Sequence, residues 1–463
     1  MRVVLLNPGR GSGSYTVIPS VGLGTIAAVL RNAGHAVTVF DANRDRLDDR
    51  EIAARVRAFN ADLIGVTCFT PFLSSVERTA AFLRLALPNI IIVLGGPHPT
   101  FEPEATLNEI PAADYVIAGE GETAMQLLCD AIEQGKAVAD VPNLYFRDGK
   151  TVIPPVKRCV EEIAALPIPA WDLLAPETYP TAPNGIFSRS NKVAPVIATR
   201  GCPFPCTFCG ASRSMGKKLR ARTAASLIEE IRLLYDRHGI REIHFMDDNF
   251  TFDADLVREL CETLLAEGPK IHWACPNGVR IDRIDEELAV LMERAGCYSM
   301  ALGIEFGTDR ILEKVRKNIT VEQIERQIRM IKEKTDIRLT GFFILGHPDE
   351  TEADIRRTVE MSLRLPLDRA NFFNFTPFPG SDLYEELKAQ GALAGLRYED
   401  LYIHSIAYHP PAISAESMKR LQRNAHLRFY LRPRILLGLL REMRTMAQFR
   451  TVLVRAAHLL VGR

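Results

Sequence analysis

The run Thr199-Arg-Gly-Cys-Pro-Phe-Pro-Cys-Thr-Phe-Cys209 places Cys202, Cys206 and Cys209 in a C-x3-C-x2-C arrangement directly after an apolar stretch. Three thiols this close on a short loop can hold three corners of an iron–sulfur cube and leave the fourth iron without a protein ligand. An electron-transfer cluster normally takes four cysteines. An iron with an open corner can bind a substrate or cofactor, so the run points to catalysis. Structural zinc is the competing reading. Zinc requires a closed tetrahedral shell of Cys or His, and the next candidates, His238 and Cys261, lie far along the chain beyond helical pattern.

From Val193 onward strands and helices alternate. Strands are predicted near 195–199, 242–246, 271–275, 298–304, 339–345 and 370–375, with helices over 225–238, 254–267, 286–295, 321–334 and 352–365. Six such units predict a partial (β/α)6 barrel. Chemistry in such barrels sits at the C-terminal ends of the strands, and the cysteine loop follows the first of them. Later strand ends carry further candidates: Asp247 and Asp248, then Asn277 and Arg280, then Glu305, then Gly346, and finally Phe375-Thr-Pro-Phe-Pro-Gly380. For the aspartate pair, loop solvation and the helix N-cap at Asp253 are the plain alternative.

Residues 1–135 show a second alternation of five strands (3–6, 36–40, 63–67, 90–94, 115–118) with about five helices. This predicts a doubly wound parallel sheet of flavodoxin-like type, which binds ligands at the carboxyl ends of its strands. The loops there are Asn7–Gly13, Cys68–Phe72, Gly95–Pro99 and Gly119–Glu122, rich in glycine that lets a backbone approach a ligand closely. The pattern alone does not name the ligand. Residues 136–190 form a proline-dense linker with a hairpin around Asp148-Gly149, residues 191–385 the barrel, and residues 386–463 a helical C-terminal region.

The 463 residues carry zero formal net charge, with 47% hydrophobic and 25% charged content, so bulk electrostatics suggest no nucleic-acid partner. Nine cysteines, six of them scattered singly, do not form a disulfide framework. An iron–sulfur site needs a reducing compartment, so the expected location is cytoplasmic. The chain opens on the strand-like Val3-Val-Leu-Leu6 without a signal-peptide pattern. From Tyr430 the chain is basic, with Ile435, Leu436, Leu439, Leu440, Met443 and Met446 at helical spacing among arginines. Such a stripe is usually core, but a basic amphipathic helix can also lie on an anionic membrane surface. The expectation is therefore a packed helix, with peripheral membrane contact and a lipid-like substrate as the second reading.

The cysteine spacing, together with the aromatic Phe208 before the last cysteine, resembles the radical S-adenosylmethionine (SAM) enzymes. The order of domains resembles their cobalamin-binding class, through Pro19–Gly24, Gly65–Phe69, Leu94–His98, Gly119–Glu122 and the linker Leu166–Asp172. The resemblance implies a 4Fe-4S cluster on the three cysteines, SAM on the open iron and cobalamin in the first domain. It implies SAM contacts at Phe208, Asp247 or Asp248, Arg280, Glu305 (in a Gly-Ile-Glu-Phe-Gly resembling the family's Gly-Ile-Glu-Ser-Gly) and Gly346. It implies corrin contacts at Thr67, Thr70, Gly95, Gly96, His98 and Gly121, with Phe69–Phe72 near the lower corrin face. The Asp-x-His-x-x-Gly motif that supplies a lower axial histidine in methionine-synthase-type domains is absent, as is typical of this class. The implied activity is methylation of an unactivated carbon, with SAM used once as methyl donor to cobalamin and once as radical source. An oxidative cyclase or rearranging enzyme is the runner-up, and a non-catalytic cofactor sensor is more distant. A small-molecule or lipid-like substrate and an external reductant such as flavodoxin or ferredoxin complete the expectation.

Overall fold

The computed structural model describes residues 1–9, 17–156, 158, 160–180, 188–402, 405–443 and 449. Its first sheet is built from β1 (Arg2–Asn7), β2 (Ala36–Asp41), β3 (Leu63–Thr67), β4 (Ile91–Gly95) and β5 (Tyr115–Ile117), all parallel. The strand order is 2-1-3-4-5, the flavodoxin-like order, with its switch point between β1 and β3. A parallel sheet covered on both faces needs strands apolar on both sides. Val3 and Leu5 enter one core while Val4 and Leu6 enter the other.

The hairpin expected at Asp148-Gly149 forms as β6 (Leu144–Asp148) and β7 (Thr151–Ile153). It pairs antiparallel to β5 and extends the first sheet to seven strands, so that sheet runs past residue 135 into the stretch read as linker. Among the described residues of that stretch, the segment around Trp171 touches both domains. Trp171 is buried and donates its indole N–H to Glu230 at 2.9 Å on the helix Ala224–His238. Against it packs the helix Val21–Asn32, where Gly24 leaves no room for a side chain: a Cβ would lie 2.5 Å from Leu174. One continuous apolar cluster runs from Val3 and Leu5 through Trp171 and Leu174 into the barrel.

The barrel sheet contains β8 (Val193–Val196), β11 (Glu242–Phe245), β12 (His272–Val279), β13 (Cys297–Glu305), β14 (Arg338–Leu345) and β15 (Arg369–Asn374), parallel and in chain order. Between the first two of these lies a small antiparallel ribbon of β9 (Thr199–Arg200) and β10 (Arg220–Ala221). Periodic apolar faces and capping boxes at Thr320 and Thr351 fix the helices Val321–Lys334 and Glu352–Arg364.

The helix Pro433–Glu442 docks on the barrel by burying Ile435 and by ion pairs from Glu442 to Arg338 (3.1 Å) and Arg369. Leu436, Leu437 and Leu440 face outward. The rest of the basic stripe, including Met446, lies outside the described residues, as do Cys159 and the glycine-rich part of the loop after β1. No helix among the described residues is long and apolar enough to cross a membrane.

Candidate active site

The cysteine loop is the connection within the β9–β10 ribbon, so both of its ends are clasped by strand pairing. Gly201, at φ +93°, starts it; a Cβ there would sit 2.4 Å from the Lys218 carbonyl oxygen. Only glycine meets both demands. Gly201→Ala is therefore expected to lower the melting temperature by several degrees and to reduce bound iron, read by scanning calorimetry and iron analysis. The other support is Asp247, 3% exposed. Its carboxylate accepts from the Ala198 N–H at 3.0 Å, the Thr199 hydroxyl at 2.7 Å and the Thr199 N–H. Burial pushes its pKa up to about 6 against these hydrogen bonds. This separates the two aspartates left open by the sequence. Asp247 is committed to the backbone, while Asp248 keeps exposed surface, has its pKa raised by the desolvation of its carboxyl, and has no hydrogen-bond or ion-pair partner among the described residues.

The donor set fits a cluster better than zinc. A tetrahedral zinc site with Zn–S bonds of about 2.3 Å brings its sulfurs within about 3.8 Å of one another. Among the described residues, the one group of three ligand atoms lying within 4.8 Å of each other is His35, Asp130 and Glu133, not the cysteine triad. The three thiols are not gathered to zinc spacing. Burial pushes the Cys202 and Cys206 thiols up, and the nearby cations Lys317 and Arg280 act in the opposite sense, toward the thiolates a cluster needs.

Around the triad the strand ends converge. Glu305, closing β13, holds a left-handed φ of +67° and pairs with Lys317 at 2.9 Å. Non-glycine strain of this kind gathers at ligand sites. Gly303 makes the room: a Cβ would lie 2.6 Å from the Glu305 carboxylate and 3.0 Å from the Lys317 ammonium. The buried Lys317 was not a candidate from sequence, because a lysine after a short helix carries no local signal. Phe208 packs edge-on against Phe306 at 6.3 Å. Asn277 donates to the Asp247 carbonyl at 3.1 Å.

Arg280 stands near the thiols but is largely engaged: it forks onto Asp282 at 3.0 Å, donates to the Lys317 carbonyl at 2.8 Å and stacks on Phe204 at 3.6 Å. Its charge is balanced and its ring partner lies inside the cysteine loop, so it braces that loop. At Gly346 the reason for glycine is a different one from ligand clearance. The residue is buried at φ +93°, a Cβ would meet Met418 at 2.8 Å, and its N–H is taken by Glu350 at 2.7 Å.

Glu350 also accepts from the His347 N–H at 2.9 Å, and burial raises its pKa to about 8. A raised carboxyl means the native state holds a proton that the unfolded chain releases near its ordinary value. Stability is then lost as pH rises from about 4.5 to 8. Glu350→Gln, which keeps the accepting oxygen, is expected to flatten that part of the melting-temperature profile. An unchanged slope would exclude the assignment.

On the first domain, Gly95 and Gly96 lie half-buried at the end of β4, and Gly96 has φ +100° with its Cβ position 2.8 Å from the Thr67 hydroxyl. Beside them Phe69 is 39% exposed on the loop after β3. This glycine-lined edge at the carboxyl ends of β3 and β4 suits the close approach of a large planar ligand. Thr70 and His98 are turned inward instead. His98 is 0% exposed, faces the Thr70 hydroxyl at 3.2 Å and packs edge-on to Tyr398 at 4.7 Å, and burial lowers its pKa to about 4. In this position it props the turn. Gly121 likewise faces inward, its Cβ position 3.3 Å from Ile26.

The loops after β4 and β5 of the first domain contact the cysteine loop of the barrel. The B12 binding domain family matches residues 12–128, and the Radical SAM superfamily matches residues 196–362. An uncharacterized methyltransferase of Pyrococcus horikoshii is 31% identical over 444 residues, covering 94% of each chain. The anaerobic magnesium-protoporphyrin IX monomethyl ester cyclase of Rubrivivax gelatinosus is 31% identical over 397 residues, 84% of this chain and 70% of its own. Among solved structures, the radical S-adenosylmethionine methyltransferase TsrM from Kitasatospora setae, with cobalamin and 4Fe-4S cluster bound, has a TM-score of 0.71 at 20% identity. It covers 91% of this chain and 84% of its own, a likeness of fold. The chain belongs to the cobalamin-binding radical SAM enzymes, and its cofactors are a 4Fe-4S cluster, SAM and cobalamin.

Proposed function

We propose that the protein methylates an unactivated carbon of a small molecule held between the barrel mouth and the ligand edge of the first domain. When bound, the cluster and SAM supply a carbon radical, and cobalamin supplies the methyl group. The observation that carries the reading is the junction itself: the loop with the three thiols abuts the loops after β4 and β5. Cys202, Cys206 and Cys209 hold the cluster. Asp248 and Glu305 are the acceptors for the SAM amino group, and Gly95, Gly96 and Thr67 border the corrin. Phe69 excludes water from its lower face. Cys209 is exposed, which gives an external reductant of flavodoxin or ferredoxin type an approach to the cluster.

The cyclase reading keeps one specific support, a cyclase relative at the same 31% identity over a shorter stretch. Reconstituted protein given SAM, reduced cobalamin and titanium citrate separates the two. A methyltransferase forms S-adenosylhomocysteine in proportion to cobalamin even without substrate. Its absence, with 5′-deoxyadenosine still formed, would favour the cyclase.

Peripheral membrane contact and a lipid-like substrate belong to the same proposal. Leu436, Leu437 and Leu440 are 41%, 53% and 57% exposed beside the exposed Arg434 and Arg441, while the acid of that helix is turned inward onto Arg338 and Arg369. An apolar face with basic flanks suits an anionic surface. Flotation with phosphatidylglycerol vesicles is expected to recover the native protein and to lose L437D/L440D. Equal recovery of both would exclude the contact.

A further inference from the structure

The glutamates of the Gly119-Glu-Gly-Glu122 loop point away from the ligand edge and toward the cysteine loop. Arg200, two residues before Cys202, donates to Glu120 at 2.8 Å and to Glu122 at 2.5 Å. Arg220, its partner across the ribbon, donates to the two Glu120 oxygens at 2.9 and 2.7 Å and to the Glu161 carbonyl at 2.6 Å. Glu161 returns its own N–H to Glu120 at 3.0 Å and holds Thr123 through both carboxylate oxygens. Four of the five charged residues are buried and Arg200 is partly so; the side chains of Glu120, Glu122 and Arg220 are 3–5% exposed. Both ends of the loop that carries the thiols are thus tied to one loop of the first domain.

A second contact holds the far end of the triad. Phe101 belongs to the short helix Pro97–Phe101, which begins directly after Gly96. Its ring fills the space over Gly210, next to Cys209, and over Gly380 at the end of the sixth barrel strand. Cβ atoms there would approach the ring to 2.9 and 2.1 Å. The loops after β4 and β5 therefore bracket the cysteine run from both sides.

We propose that Glu120, with Arg200 and Arg220, is a positioning group that couples the two cofactor sites, so that filling one site changes affinity at the other. Apolar packing alone could hold the domains together. A buried, forked ion network adds a single allowed register, the best-attested use of such groups. Glu120 lies at the end of β5, on the same sheet edge as Gly95 and Gly96, and Arg200 lies in the run that holds the cluster. Ordering either loop orders the other through these bonds. Coupling between binding sites is reciprocal, so one factor must describe both directions.

The inference rests on cobalamin occupying the first domain, and the experiment keeps the two apart. Cobalamin affinity is measured by absorption titration on cluster-free and cluster-loaded full-length protein, alongside iron release to bathophenanthroline with and without cobalamin. In the native chain the cluster is expected to tighten cobalamin binding by about fivefold or more, and cobalamin to slow iron release. In E120Q both effects are expected to collapse toward a ratio of one, with R200K, which keeps the charge but not the fork, in between. A merely structural role would speed iron release equally with and without cobalamin. Should E120Q not fold, E122Q, which removes the negative charge from a single partner of Arg200, takes its place. A native ratio of one, or a ratio that survives in the variants, overturns the coupling alone. Failure of every form to bind cobalamin overturns the assignment of the first domain with it.

Discussion

Asp247→Ala is expected to strip the protein of its cluster although Asp247 need touch no cluster atom. Its carboxylate accepts three hydrogen bonds from Ala198 and Thr199, which lead into the cysteine loop. Alanine leaves those buried donors without an acceptor. At about 1–3 kcal/mol for each unsatisfied group, partly offset by relaxation and entry of water, a loss of about 3 kcal/mol or more follows. Calorimetry should show it together with depleted iron. Asp248→Asn is the contrast. Asp248 bonds to nothing among the described residues, so stability and iron content should stay native. SAM affinity should fall by about tenfold or more, the equivalent of one hydrogen bond to a charged group at about 1.5–3 kcal/mol. Native SAM affinity in Asp248→Asn, or native iron in Asp247→Ala, would reverse the roles given to the pair.

Cys206→Ala carries the other large effect. The native protein, reconstituted without oxygen, is expected to hold about four irons and four sulfides per chain and to cleave SAM under reduction. With one thiolate removed, the remaining two should not retain the cube, and 5′-deoxyadenosine should fall to background. Elemental analysis gives the zinc reading its chance. One zinc per native chain and no sulfide would exclude the cluster, and with it the proposed reaction.

The strands and helices of both domains were legible from apolar periodicity because both sheets are parallel. A run such as Val3–Leu6 is apolar on both faces because both are buried, whereas Arg338–Leu345 fully buries alternate residues, and each is followed by a helix that covers it. The triad was legible because three thiols at fixed spacing have few other uses. The edges were harder. Residues 144–153 read as a hairpin, but joining β5 depends on a sheet edge assembled from distant chain. His98 and Thr70 follow strands, but sequence did not show that they pair with each other or that Tyr398 packs on His98, because the direction of a side chain at a turn is set by what packs on it.

Sequence by itself determined that this protein pairs a doubly wound domain with a partial barrel and carries three thiols at C-x3-C-x2-C spacing on one loop, because these follow from local pattern and spacing. Tertiary structure alone decided which aspartate supports the loop and which is open to a ligand. It also showed that Lys317 faces Glu305, and that Glu120 and Glu122 reach across to Arg200 and Arg220. Those assignments depend on which buried polar groups find partners, and partners 12 to 100 residues apart leave no trace in local pattern.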